Sequence, residues 1–197
     1  GRGGARRRDP VVTAASGLVL PGQSYSAAFG DYDRDGDLDL AVSRWGNRAL
    51  APEAPGSLWR NDGGAFVDVS QAAGLPLFLS RTDPVLAQIA ITLSFTPNFV
   101  DYDADGWPDL LVTGDFGASH VLHNQGDGTF ADATTAAVSD ENGMGAAIGD
   151  VDADGDLDWF VSSIWDPNGE VEGNWGTSGN RYYRNDGAAG FTDATDT

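Results

Sequence analysis

Apolar positions along this chain come in short runs, each bounded by Gly, Asp or Asn. Leu38-Asp-Leu-Ala-Val-Ser43, Leu110-Leu-Val-Thr113 and Leu157-Asp-Trp-Phe-Val-Ser162 are rich in β-branched and aromatic residues, a composition that predicts strands. After each comes an aromatic or apolar stretch ending in a basic residue and Asn: Leu58-Trp59-Arg60-Asn61, Val121-Leu122-His123-Asn124 and Tyr182-Tyr183-Arg184-Asn185. A Gly-rich turn follows, such as Asp62-Gly63 or Asp186-Gly187, and Asp-Gly between strands marks a hairpin. The turns lead into Phe66-Val-Asp-Val-Ser70, Phe130-Ala-Asp-Ala-Thr134 and Phe191-Thr-Asp-Ala-Thr195. Small residues precede each block: Tyr25-Ser-Ala-Ala-Phe29, Thr96-Pro-Asn-Phe-Val100 and Gly143-Met-Gly-Ala-Ala-Ile148. Every block thus predicts four strands, A to D. A degenerate outer strand, Val11-Val-Thr13 with Gly17 matching Gly74, comes before the first block.

Four short antiparallel strands recurring at intervals of 70 and 49 residues describe blades of an all-β propeller. Small residues suit strand A, which crowds around a central axis. A β-sandwich is the structural alternative, but it would not demand a sequence repeat. The blades are expected at about 11–70, 71–135 and 136–197, behind a disordered or linker tail at 1–10 that holds four of the eleven arginines. Three blades do not close a ring, so other chain segments or partner chains are expected to complete it. The fragment reading is preferred, because Asp196-Thr197 stops inside an outer strand and bare edge strands invite aggregation.

Between strands A and B the pattern Asp-x-Asp-x-Asp-Gly-x-x-Asp occurs three times, beginning at Asp31, Asp101 and Asp150. Carboxylates at alternate positions repel one another unless a cation lies between them. Calcium suits such a loop, accepting six to eight hard oxygens in forgiving geometry. The Gly at position six allows the sharp turn, and the carbonyl at position seven can add an oxygen. An EF-hand would need Glu at position twelve, where Val42, Val112 and Val161 stand. The Gly-Gly-x-Gly-x-Asp pattern of calcium β-helices is also missing. Three calcium sites are therefore expected.

The net charge of −19 arises largely in these loops, which hold 14 of the 30 acidic residues; three calcium ions would bring it to −13. Such a surface disfavours nucleic acid and anionic membranes. No apolar run reaches the length of a membrane span, and no signal peptide is recognisable. All eleven Lys and Arg residues are Arg, a weak pointer to a GC-rich bacterial gene, and zero Cys is neutral about compartment. Calcium loops of the millimolar type point to the periplasm or cell exterior, with cell-surface association compatible.

Residues 11–197 resemble the FG-GAP/VCBS calcium-binding propeller repeats, the type found in integrin α-subunit heads. The wording Phe29-Gly-Asp-Tyr-Asp and Asn142-Gly-Met-Gly…Gly149-Asp-Val-Asp-Ala-Asp-Gly-Asp-Leu-Asp-Trp is closest to the bacterial cartilage-acidic-protein-like, ASPIC/UnbV-associated branch. Two departures are Asp9 at the position of Phe66 and Pro108 before the last ligand of the second loop. The resemblance implies metal ligation by Asp31, Asp33, Asp35 and Asp39, by Asp101, Asp103, Asp105 and Asp109, and by Asp150, Asp152, Asp154 and Asp158. Main-chain oxygens of Asp37, Trp107 and Asp156 would complete the sets.

Up-and-down topology puts the calcium loops on one face and nearly all the extra length on the other. Arg44 to Gly56, Leu75 to Leu93 and Ile164 to Asn180 are the long segments, and long loops on a rigid scaffold commonly carry recognition. Trp45, Trp165 and Trp175, with Arg44, Arg81, Asn168 and Asn174, are candidates to bind a protein partner or glycan there; the competing reading has the aromatics packing their own loops. Catalysis finds little support. His120 and His123 lie three apart on one strand and so point to opposite faces, and no nucleophile elbow or phosphate loop is present. Acid–base chemistry from Asp166, Glu170 or Glu172 would rest on fold analogy alone. The sequence thus predicts a non-enzymatic, calcium-stabilised interaction or assembly module, with a carbohydrate-binding propeller as the alternative and a polysaccharide lyase or hydrolase behind both.

Overall fold

The computed structural model describes residues 16–18, 24–48, 58–75, 85, 91–168 and 176–196, without the side chains of 47, 48, 91 and 188. The expected tail at 1–10 lies outside them. The described strands are β1 (Ala27–Gly30), β2 (Asp39–Val42), β3 (Trp45–Arg48), β4 (Leu58–Asp62), β5 (Ala65–Asp68), β6 (Ile91–Val100) and β7 (Asp109–Gly114). They continue with β8 (His120–Asn124), β9 (Phe130–Asp132), β10 (Gly143–Gly149), β11 (Asp158–Ser163), β12 (Arg181–Asn185) and β13 (Phe191–Asp193). A single 3-10 turn, Gly187–Ala189, is the only helical element among the described residues.

These strands form three antiparallel sheets in the orders β1-β2-β4-β5, β3-β6-β7-β8-β9 and β10-β11-β12-β13. Each is an up-and-down meander of the A-to-D kind, but the second has a fifth strand. Trp45–Arg48, expected as part of a long insertion, instead pairs antiparallel with β6, Trp45 opposite Leu93. The first sheet thereby lends a strand to the edge of the second.

The sheets stack face to face. Leu110, Val112, Leu122 and Phe130 of the second sheet meet Tyr32, Ala41 and Leu58 of the first. Leu111 and Val121 point the other way, against Trp159, Val161, Tyr183 and Phe191 of the third. The unbroken apolar run Leu110-Leu111-Val112 follows from this placement, since a strand covered on both faces has no side to leave polar. Trp159 and Tyr183, both fully buried, centre the second interface with their rings 5.4 Å apart.

Small residues at the A strands allow close approach between sheets. β1 packs on β6 and β6 on β10. A Cβ on Gly30 would lie 2.5 Å from the Phe99 ring, too close without backbone movement. Thr113 Oγ1 donates to the Met144 carbonyl at 3.0 Å, tying β7 to β10. The outer strands β5, β9 and β13 sit farthest from this seam, at the ends of the strand orders.

Candidate metal centre

The three Asp-rich loops join β1 to β2, β6 to β7 and β10 to β11, and they share one backbone. Position four is left-handed in each, with φ of 60° at Arg34, 58° at Ala104 and 63° at Ala153. Position six, Gly36, Gly106 or Gly155, has φ of 98°, 93° or 102°, a region L side chains avoid, so Gly is required there. The first Asp accepts a hydrogen bond from that Gly amide: Gly36 N to Asp31 Oδ2 at 3.2 Å, Gly106 N to Asp101 Oδ2 at 3.0 Å and Gly155 N to Asp150 Oδ2 at 3.2 Å. The fifth Asp accepts from the amide of residue seven at 2.8, 2.8 and 3.0 Å. These bonds curl each loop so that its odd-numbered side chains turn inward.

The ninth Asp opens the following strand and is the anchor. Asp39, Asp109 and Asp158 are buried, at 0, 0 and 1% exposure. Oδ2 of each accepts from the second loop residue: Tyr32 N at 3.0 Å, Tyr102 N at 3.1 Å and Val151 N at 2.9 Å. Oδ1 accepts from the Asn at or next to the end of strand C: Asn61 N at 2.9 Å, Asn124 N at 2.8 Å and Asn185 N at 2.9 Å. Burial pushes the carboxyls of Asp39 and Asp109 up to about 6, against the opposing pull of those amides. The charged form is therefore held at a cost that a neighbouring cation would remove.

In each loop three of the four carboxylates named from the sequence bring oxygens close together. Oxygens of Asp31, Asp33 and Asp39 lie within 4.8 Å of one another, as do those of Asp150, Asp152 and Asp158, and of Asp101, Asp103 and Asp105. Asp109 groups instead with Asp103 and His123 at the same limit. Asp35 and Asp154 do not join these groups. Asp37, Trp107 and Asp156 have their amides turned to the fifth Asp, and the Asp37 carboxylate also accepts from Gly63 N at 2.8 Å. Asp31 Oδ1 and Asp101 Oδ1 are buried and accept no hydrogen bond. An all-oxygen donor set with a spare buried oxygen fits a hard divalent cation.

The same Asn joins neighbouring sheets. Asn124 Nδ2 donates to Pro108 O at 2.8 Å and across the interface to Tyr32 O in the first loop, also at 2.8 Å. Asn185 Nδ2 likewise reaches Leu157 O at 3.1 Å and Tyr102 O in the second loop at 2.7 Å. Phe130 stacks on Tyr32 at 5.8 Å, and Phe191 packs on Tyr102 at 5.5 Å. Arg34 lies over the Trp107 ring at 5.1 Å. Each of the first two loops is thus clamped by the following sheet, whereas Val151, the counterpart of Tyr32 and Tyr102, is 69% exposed. The recurring Asn was visible in sequence, but its reach across the interface was not.

Connections at the opposite strand ends carry the other candidates. Arg44 is buried, and the Trp45 indole N–H donates to Asp115 Oδ2 at 3.0 Å. That commits Trp45 to tying its segment to the second sheet. Trp165 stands out at 67% exposure, against Gly179 of the same connection. Asn168 is exposed; Trp175, Arg81, Asn174, Glu170 and Glu172 lie outside the described residues. Beside Trp165's connection runs an open groove of about 550 Å³, lined by Gly117, Val138, Ser139, Glu141, Thr177 and Arg181 among others. Asp140, at its floor, is buried and accepts from Ser119 Oγ at 2.7 Å and Tyr183 OH at 2.9 Å; burial raises its pKa while those donors oppose the rise. The two histidines diverge as expected, His120 towards Asp132 and His123 towards Asp103 and Asp109.

Replacing Asp105 by Ala is expected to weaken metal binding at the second loop about tenfold while leaving the other two loops intact. Peptide-resolved hydrogen exchange checks this: protection should fall around 101–109 and hold around 31–39 and 150–158. Uniform loss across all three sheets would contradict independent sites.

Residues 101–161 match the family model described as an FG-GAP-like repeat. No curated protein matches the chain. Among solved structures, a lectin from Agrocybe aegerita, determined for its specific recognition of non-reducing terminal N-acetylglucosamine, aligns at 18% identity and a TM-score of 0.45. The alignment covers 84% of this chain and 36% of the lectin, so the chain spans about a third of that protein's length.

Proposed function

We propose, from the premise that this chain carries an FG-GAP-like repeat, that it is a calcium-stabilised β-propeller segment serving as a non-enzymatic interaction or assembly module outside the cytoplasm. The observation that carries this reading is the threefold recurrence of one loop backbone with convergent carboxylates and a buried ninth Asp. Each loop would hold one calcium ion through the Asp oxygens named above, and the ion would neutralise carboxylates that otherwise repel. The three sheets would be consecutive blades, with the loops on one face and the long connections on the other. Calcium at the millimolar levels outside cells suits sites of this kind. Calorimetric titration of chelator-treated protein tests the proposal: three sites are expected, and fewer than two would overturn it.

Recognition is placed on the long-connection face, because the loop face commits its side chains to metal. A glycan is the second reading. The exposed Trp165 packs on Gly179, one residue from the groove residue Ser178, so it would offer an aromatic platform near the polar groups Ser139, Glu141, Thr177 and Arg181. Trp165→Ala is expected to weaken binding of a glycan or protein partner at least tenfold, with calcium binding unchanged. Binding to a glycan array, followed by titration of any hit against the variant, checks it. Equal affinities would return Trp165 to a packing role.

A further inference from the structure

The basic residue beside the second loop differs from its counterparts in the other two sheets, and the difference has a local cause. In the first and third sheets the basic residue before the latch Asn is Arg, and it folds back on the Asp two residues later. Arg60 Nε lies 2.8 Å from Asp62 Oδ1, and an Arg184 guanidinium nitrogen lies 2.9 Å from Asp186 Oδ1. In the second sheet both members change, to His123 and Gln125. Gln125 offers no charge to hold the basic residue. His123 turns to the loop instead, with Nδ1 at 3.3 Å from Asp103 Oδ2 and 3.2 Å from Asp109 Oδ1. The Tyr102 ring stands edge-on to the imidazole at 6.3 Å and helps fix its orientation.

We propose that Asp103, Asp109 and His123 form a binding site for a first-row transition ion, of which Zn2+ is the type, so that the second loop differs in metal preference from the all-oxygen first and third. Three observations converge. The donor atoms all lie within 4.8 Å of one another. The two nitrogen–oxygen separations match the edge of about 3.3 Å expected for tetrahedral ligands with bonds of about 2.0 Å. Asp109 is the buried member, held by two backbone amides, and a pre-set ligand of that kind raises affinity. Imidazole nitrogen is a poor donor to calcium and a good one to Zn2+, while carboxylates serve both. Three protein donors leave a further position for water. The proposal rests on the metal-binding reading of the loops but not on calcium as the ion of all three.

The test uses tag-free, chelator-treated protein titrated calorimetrically with Zn2+ in millimolar Ca2+, alongside His123→Arg and His123→Gln. Arg stands at this position in the other two blocks, so the first variant is expected to fold, and its melting temperature in chelator monitors that. Wild type should take up one Zn2+ per chain. Both variants should bind it at least tenfold more weakly, with calcium binding at the first and third loops unchanged. X-ray absorption of the Zn2+ form should show a nitrogen ligand that is lost in the variants. Zn2+ uptake absent from wild type, or equal in wild type and both variants, would overturn the site. Zn2+ binding that depends on His123 in a protein without calcium sites would support it and overturn the calcium reading instead.

Discussion

Chelating calcium is expected to lower the melting temperature of this protein by about 15–30 °C. A site filled at about 100 times its dissociation constant stabilises the fold by about 2.7 kcal/mol, and three such sites by about 8 kcal/mol. For a chain of this size 1 kcal/mol shifts the melting point by about 2–4 °C. The physical source is the packing of like charge. Asp31, Asp33 and Asp39 hold oxygens within 4.8 Å of one another, and two unit charges at about 5 Å repel by about 3 kcal/mol at an effective dielectric of about 20. Burial of Asp39 and Asp109 adds to this, because water does not solvate either charge and desolvation pushes both carboxyls up to about 6. Differential scanning calorimetry in calcium and in chelator makes the comparison. A difference below about 5 °C would mean that the loops are held by their own hydrogen bonds rather than by an ion.

Asn124→Ala is expected to cost about 3–5 kcal/mol, and Asn61→Ala about 1 kcal/mol. Asn124 is buried and serves Tyr32 O, Pro108 O and Gly126 N at 2.8, 2.8 and 3.0 Å. Truncation leaves three main-chain groups without partners, each costing about 1–3 kcal/mol where buried. Asn61 holds only Leu38 O and Gly64 N, in an exposed setting, where water can replace the lost bonds. Urea unfolding of both variants gives the comparison, and hydrogen exchange locates the damage. Protection should fall in residues 31–39 of Asn124→Ala, a loop belonging to the sheet before the mutated one. Equal losses from the two substitutions would show that the bond across the interface contributes nothing.

Much of this architecture was legible in the residues. The Asp-x-Asp-x-Asp-Gly-x-x-Asp spacing located the loops, because turn chemistry is local: Gly at position six and side-chain-to-amide bonds over two to five residues need no distant partner. The four-strand blocks were legible for the same reason, each strand being bounded by Gly, Asp or Asn. What escaped depends on neighbours far along the chain. Trp45-Gly46-Asn47-Arg48 carries no strand signal, and becomes β3 only because β6 offers a free edge opposite Leu93. Trp45 was a candidate ligand-binding aromatic until Asp115, seventy residues away, was found to take its N–H. His123 read as an equivalent of Arg60 and Arg184; its turn towards Asp103 follows from Gln125, a difference that acquires meaning only beside the paired Arg–Asp geometry of the other sheets.

The reach of the Asn latches also sets a timetable for synthesis. Tyr32 O waits for Asn124, 92 residues later, and Tyr102 O waits for Asn185, 83 residues later. At elongation rates of about 5–20 residues per second, each loop leaves the ribosome on the order of 4–20 s before the residue that clamps it. During that interval Tyr32 lacks both its hydrogen-bond donor and the ring of Phe130. The nascent chain therefore always carries one unfinished loop at its growing end, and each newly made sheet completes the one before it.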